Sequence, residues 1–245
     1  PFVDIFSLGE GEDVSVELLE LYRTAKSEDW TKEELLREAA RIPGIYVPSF
    51  YEPVYRPDSN GEVRNRDFFG GDLKGVLEQL PYLQSLGVET LYFNPIFEAA
   101  SNHRYDTADY LKIDPMLGDE DDFRELCREA AARGISIILD GVFNHTGDDS
   151  VYFNRYGTYP EPGAWAGEDS PWRDAYRFNA DGSYACWWGI GNMPDLNLKS
   201  PTVRKLIVGE QGVIRHWTRA GARGWRLDVA DELTEQMITD IREVL

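Results

Sequence analysis

The sequence predicts an α/β fold built on parallel strands, and three observations carry that reading. Short apolar runs, VETLYF (88–93), ISIILD (135–140) and GWRLDV (224–229), alternate with segments of helical spacing. The runs are almost continuously apolar, as in strands covered on both faces. Each closes on a polar residue: Asn94, Asp140 and Asp228. In β/α barrels the functional residues gather at the C-terminal ends of the strands. Three such endings, with no GxGxxG behind any of them, favour a TIM barrel over an open nucleotide-binding sheet.

The elements follow in order. VSVELLELYRTAK (14–26) and TKEELLREAAR (31–41) have helical spacing, and Thr31 and Glu34 stand at capping-box distance. IPGIYVPSFYEPVY (42–55) is extended, aromatic and punctuated by prolines, and GIYVPSFY within it can serve as a first barrel strand. RPDSNGEVRN (56–65) is polar and turn-rich, the best place for a boundary. DLKGVLEQLPYLQSLG (72–87) is a helix interrupted by Pro81, and DEDDFRELCREAAARG (119–134) is a helix with acids at its start and Gly134 behind it. An aromatic, Gly- and Pro-rich passage runs from 147 to 199. PTVRKLIVGEQGVIRHWTRAG (201–221) reads as one helix and LTEQMITDIREVL (233–245) as another. The chain opens on Pro1 and stops inside that last pattern, so both ends are expected to be cuts.

Composition narrows the partners. Among 245 residues, 25 Lys and Arg face 44 Asp and Glu, a formal net charge of −19. Such a charge disfavours nucleic acid and anionic membranes and suits a neutral ligand; it equally suits mere solubility. Cys127 and Cys186 form no CxxC pair and mark no metal or redox centre. Cys127 falls in a helical pattern and reads as a buried thiol. No leader is visible and no apolar run approaches the roughly 20 residues of a membrane span, so a cytoplasmic protein is expected.

Chemistry concentrates at the strand ends. In GWRLDVADE (224–232), Arg226 and Asp228 lie two apart and so project to one side of a strand. An arginine beside a carboxylate favours its ionised form, as a nucleophilic carboxylate requires; a salt bridge closing a barrel layer explains the pair equally well. In DGVFNHT (140–146), Asp140 and His145 can hold an arginine or a substrate hydroxyl, or Asp140 and Asn144 simply cap the loop. SNHRYDTADY (101–110) adds His103, Tyr105 and Asp106. The passage 147–199 holds Trp165, Trp172, Trp187 and Trp188, suited either to a flat neutral ligand or to a local core.

DGVFNHT and GWRLDVADE resemble two motif regions of the α-amylase family of glycoside hydrolases. The run from NRDFFGGD (65–72) to DEDDFREL (119–126) is similar to the family's early barrel, and MPDLN (193–197) resembles the short motif of its neopullulanase, cyclomaltodextrinase and oligo-1,6-glucosidase groups. The resemblance covers residues 62–245. It implies the first half of a (β/α)8 barrel over 58–245, with a loop subdomain inserted at 147–199, acting on an α-glucan by a retaining mechanism on α-1,4 bonds, with α-1,6 bonds as a further expectation. It makes Asp228 the nucleophile and Arg226 its ionic partner. His145 and Tyr105 line the sugar position, Asp140 and Asp106 are supporting acids, and Asn197 belongs to the substrate wall. No cofactor is implied; a structural calcium, through Asn144 or through Gly70 and Asp72, is the one metal it raises.

A retaining glycosidase also needs a general acid roughly 5–5.5 Å from its nucleophile. In the family that Glu follows the next strand, and Asp231 and Glu232 stand too close to Asp228 in sequence to be it. The chain alone is therefore expected to be inactive, and its open barrel edge to invite self-association. A non-catalytic carbohydrate-binding or scaffold fragment is the second reading. FSLGEGEDVSVELLELYRTAK and LLREAARIPGIYVPSFYEPVY resemble a segment of radical-SAM proteins with a cobalamin-binding-like domain, which sets residues 1–57 apart as a short helical segment of different origin. Radical-SAM chemistry needs a CxxxCxxC cluster, and this sequence has none, which weighs against that third reading.

Overall fold

The computed structural model describes residues 5–7, 12–50 and 70–245. The chain forms two compact units, Pro1–Val63 and Arg64–Leu245. The turn-rich passage 56–65, and with it the expected junction, lies outside the described residues.

In the first unit, strand β1 (Phe6–Ser7) precedes helices α1 (Glu12–Ser27) and α2 (Lys32–Ala39) and strand β2 (Ile45–Tyr46). The capping box at α2 is realised: Glu34 N–H donates to Thr31 Oγ1 at 3.3 Å, and Thr31 N–H donates to Glu34 Oε2 at 2.8 Å. Leu36, Ala39, Ile45 and Val47 make a small core, against which Leu18 and Leu21 of α1 pack. The expectation for GIYVPSFY is corrected here. Ile45 and Tyr46 pair antiparallel with Ser7 and Phe6, and a 3-10 turn begins at Pro48. Proline has no N–H for a ladder, which ends the strand at that point.

The second unit contains α3 (Leu73–Ser85), β3 (Thr90–Tyr92), β4 (Phe97–Ala99), β5 (Thr107–Ile113), α4 (Glu120–Ala132) and β6 (Ser136–Gly141). After the long loop come α5 (Pro201–Val208), α6 (Val213–Ala220), β7 (Gly224–Leu227) and α7 (Glu235–Val244). Strands β3, β6 and β7 form a parallel sheet in that order. Ile137 and Leu139 of β6 join Phe123, Leu126, Ile214 and Trp217 in the core under the helices. The other face of the sheet is open: Tyr92 is 46% exposed, where the apolar runs had predicted cover on both sides.

Three further differences have local causes. Helix α3 runs through Pro81, an exposed position, without stopping. The predicted single helix at 201–221 is two. Gly209 ends α5, donating to the Lys205 carbonyl at 3.1 Å, and Gly212 precedes α6. A Cβ on Gly209 would collide with that carbonyl. The β4–β5 antiparallel pair sits where no strand was expected.

The passage 147–199 carries three 3-10 turns and isolated bridges rather than long elements. Phe153 is its hub, ringed by Trp165, Tyr176, Phe178 and Tyr184 at centroid distances of 4.8–5.9 Å. Most of its aromatics thus build a local core. Cys127 lies buried in α4, and burial pushes its thiol up to about 12. Among the described residues, no helix is long and apolar enough to cross a membrane.

Candidate active site

The site grows from the alignment of β6 with β7. Asp140 and Arg226 are direct partners across that pair, and Asp228 follows one residue past the end of β7, its N–H held by the Gly141 carbonyl at 3.1 Å. Alternation turns Trp225 and Leu227 toward the core and Arg226 to the open face. There Arg226 Nη1 donates to both Asp140 oxygens, at 3.1 and 3.2 Å, and to Asp228 Oδ1 at 2.5 Å. Partial desolvation would lower the arginine's pKa, but the bonds to Asp140 and Asp228 outweigh it and hold the pKa above its ordinary value. The cation is permanent and sits between two carboxylates. Directly after Asp228, Val229 takes a left-handed backbone, φ 40°, a genuine outlier for a β-branched residue.

Asp140 is fully buried as a side chain and accepts two more bonds. Tyr92 Oη donates to Oδ2 at 2.5 Å and Tyr105 Oη to the same oxygen at 3.0 Å. Burial raises the pKa of both phenols, and the carboxylate adds to it, so both remain protonated donors. Tyr105 is placed by a loop whose turns are fixed from within. Asp106 accepts from the Ser101 N–H at 3.2 Å and from the Ser101 hydroxyl, and Arg104 makes a buried ion pair with Asp114 at 2.7 Å.

His145 is 1% exposed. Its backbone is pinned by Tyr110, whose hydroxyl donates to the His145 carbonyl at 2.9 Å, and by a bridge to Asp195. Its ring stacks on Trp187, 5.2 Å between centroids and 27° between planes. Nε2 is buried and has no hydrogen-bond partner among the described residues, a donor or acceptor available to a ligand. Burial lowers its pKa below the ordinary 6.5; the charge of Asp228, the Tyr105 backbone, Glu232 and Asp106 oppose the fall. His145 follows Asn144, whose Nδ2 donates at 3.2 Å to Glu232, four residues past Asp228.

Asp228, Arg226, Asp140, Tyr105, His145 and Asp106 are therefore one neighbourhood. Asn197 takes a different place: its Nδ2 donates to the Asp174 carbonyl at 3.0 Å, and it lines a cavity of about 290 Å³ with Asn144, Asp195 and Glu232. Gly70 and Asp72 line another groove, of about 550 Å³, with Tyr92 and Asn94. Asp72 Oδ1 there caps α3, accepting from Gly75 N–H at 2.7 Å, while Asn144 Nδ2 donates to Glu232 at 3.2 Å. Among the described residues, no group of three or more His, Cys, Asp or Glu side chains is placed to hold a metal ion. Asn144 lies on one cavity and Gly70 and Asp72 on another groove, so the two calcium alternatives are separate places.

One member escaped the sequence reading: Tyr92 stands two residues before the polar strand end, and a tyrosine in LYF reads as core. Trp187 was named with three other loop tryptophans, as a ligand surface or a local core, with nothing to single it out among them.

A parallel β/α sheet with an arginine held between two aspartates at its strand ends defines a β/α-barrel protein with an acidic strand-end site. The chain belongs to the α-amylase catalytic-domain family, whose profile, described as alpha amylase, catalytic domain, matches residues 44–243. A profile for the N-terminal region of radical SAM proteins matches residues 1–48. The chain is 48% identical over 212 residues to an amylopullulanase of Thermoanaerobacterium saccharolyticum, covering 79% of this chain and 16% of that one. It is 43% identical to neopullulanase 2 of Thermoactinomyces vulgaris, over 74% of this chain and 31% of the relative. Among solved structures it resembles the cyclic alpha-maltosyl-(1→6)-maltose hydrolase of Arthrobacter globiformis, with TM-score 0.65 and 35% identity over 74% of this chain and 40% of that one. These likenesses make the fold a partial (β/α)8 barrel. The chain spans well under half the length of these relatives.

Proposed function

We propose that this chain carries the nucleophile side of a retaining site for α-glucans. One observation carries the reading: Arg226 joins Asp140 to Asp228 at the ends of adjacent parallel strands. Asp228 attacks the anomeric carbon; the glycosidic C–O bond breaks as the new C–O bond forms, and water later returns the carboxylate. Arg226 holds the attacking carboxylate in a direct ion pair, Asp140 braces Arg226, and Tyr105 and His145 border the sugar. Relatives named as pullulan-acting and cyclic maltosyl-maltose-cleaving enzymes support α-1,4 and α-1,6 linkages as substrates.

The leaving oxygen must take a proton, and none of this chain's carboxylates is assigned to give it. Glu232, four residues after Asp228, accepts from Trp188 Nε1 at 2.8 Å and from Asn144. The chain alone then cleaves maltohexaose or cyclodextrin slowly if at all, since general acid catalysis contributes about 10²–10⁴-fold. Fluoride departs without protonation, so α-maltosyl fluoride isolates the attacking step. Incubation with a slow-turnover 5-fluoro analogue of that fluoride should add one glycosyl mass to a peptide containing Asp228, and Asp228→Asn should abolish it. Labelling elsewhere, or none, sinks the assignment.

A further inference from the structure

The aromatic stack that starts at His145 continues outward. Beyond Trp187 lies Trp188, its ring 5.5 Å away and 28° off parallel, so two ring steps lead from the candidate site to solvent. Trp188 is 81% exposed, an unusual fate for the largest apolar side chain. It is nevertheless held in place. Its backbone is left-handed, φ 49° and ψ 29°, a conformation that non-glycine residues keep only where neighbours determine it. Its indole N–H donates to Glu232 Oε1 at 2.8 Å, and the other Glu232 oxygen accepts from Asn144, next to His145.

From this arrangement we propose that Trp188 is a sugar-stacking platform: an additional glucosyl-binding position that receives a ring of the α-glucan outside the cluster around Asp228. The inference rests on the glucan reading above and specifies a binding residue within it. A pyranose presents a face of C–H groups that packs on an aromatic ring, and the indole offers the wide flat surface such packing needs. The fixed side chain loses little freedom on binding. Continuity through Trp187 to His145 puts the platform on the path of a chain whose reacting sugar lies at Asp228. The net charge of −19 disfavours a polyanion as the occupant, whereas a neutral glucan has no charge to repel.

Calorimetric titration of the 245-residue chain with maltohexaose tests this, using the parent, Trp188→Ala and Trp188→Phe. The alanine variant should bind about tenfold more weakly and the phenylalanine variant, which keeps a ring face, within about threefold of the parent. Equal affinity in parent and alanine variant overturns the platform. So does an equal loss in both variants, which assigns the effect to the Glu232 bond, and so does a parent that binds no maltohexaose. Should the alanine variant fail to fold, acrylamide quenching of the parent decides: maltohexaose must shield its tryptophan emission, and unchanged quenching overturns the proposal. Labelling of the parent at Asp228 reads the catalytic assignment separately. Labelling with no Trp188 effect removes the platform alone; a Trp188 effect with no labelling keeps the platform and removes the nucleophile.

Discussion

Asp140 and Arg226 face each other as direct partners on adjacent parallel strands, and one guanidinium nitrogen reaches both carboxylate oxygens at 3.1 and 3.2 Å. The pair ties the end of β6 to the end of β7 and passes the positive charge on to Asp228.

Asp140→Ala should therefore cost both stability and chemistry. The hydroxyls of Tyr92 and Tyr105 and one guanidinium contact lose their buried charged acceptor together, a loss of about 2–3 kcal/mol by the usual measure of hydrogen bonds to a charged group. Urea denaturation reads the first effect; the rate of glycosyl labelling at Asp228 should fall at least about tenfold.

Tyr92→Phe removes one bond to Asp140 and leaves those of Tyr105 and Arg226. A loss of about 1 kcal/mol is expected, with labelling slowed several-fold. Tyr82→Phe, on an exposed ring of α3, should change neither; an effect of equal size there would show that Tyr92 acts through general packing.

His145 gives the stability a pH dependence. Burial holds its folded pKa below 6.5, so the unfolded chain takes up the proton first as pH falls. The contribution is fully present above the ordinary value and is lost between that value and the depressed one. Urea midpoints should drop from pH 7.5 to pH 5.5 by more in the parent than in His145→Gln. Parallel profiles in the two proteins would exclude His145 as the source.

Gly221→Ala should destabilise without touching the site. The glycine closes α6 with φ 125°, and a Cβ there would stand 2.5 Å from Cys127 Cβ on α4. Strain and overlap together predict about 2–3 kcal/mol, read as a lowered melting temperature; a shift within 1 °C would mean that α4 and α6 part easily.

What could be read in the sequence divides along a physical line. Arg226 and Asp228 were visible because strand alternation is a local rule, and the Thr31–Glu34 box because capping spacing is local too. Tyr92 was invisible because its partner, Asp140, is set by which strands lie near each other, and its own neighbours resemble core. The β4–β5 pair was missed because its alignment shifts twice within three residues, which scrambles the alternation. The break between α5 and α6 was hidden by apolar spacing that continues on both sides. Gly209 and Gly212 were in plain view, but only their close approaches, to the Lys205 carbonyl and to the Gly209 backbone, give them their effect. The expected first barrel strand failed because Pro48 closes it early and Phe6–Ser7 supply another partner.

The facing of Asp140 and Arg226 also works as a proofreader of assembly. Were β7 to slip by one residue along β6, Gly141 would meet Arg226, and alternation would carry one member of the pair to the wrong face. A charge would then be buried without its counterion, an error of several kcal/mol. The correct alignment is selected by the very atoms assigned to hold the attacking carboxylate. Changes at Asp140 should accordingly be found among misassembled or degraded chains rather than among well-folded silent ones, and a cell that clears the former would rarely accumulate the latter.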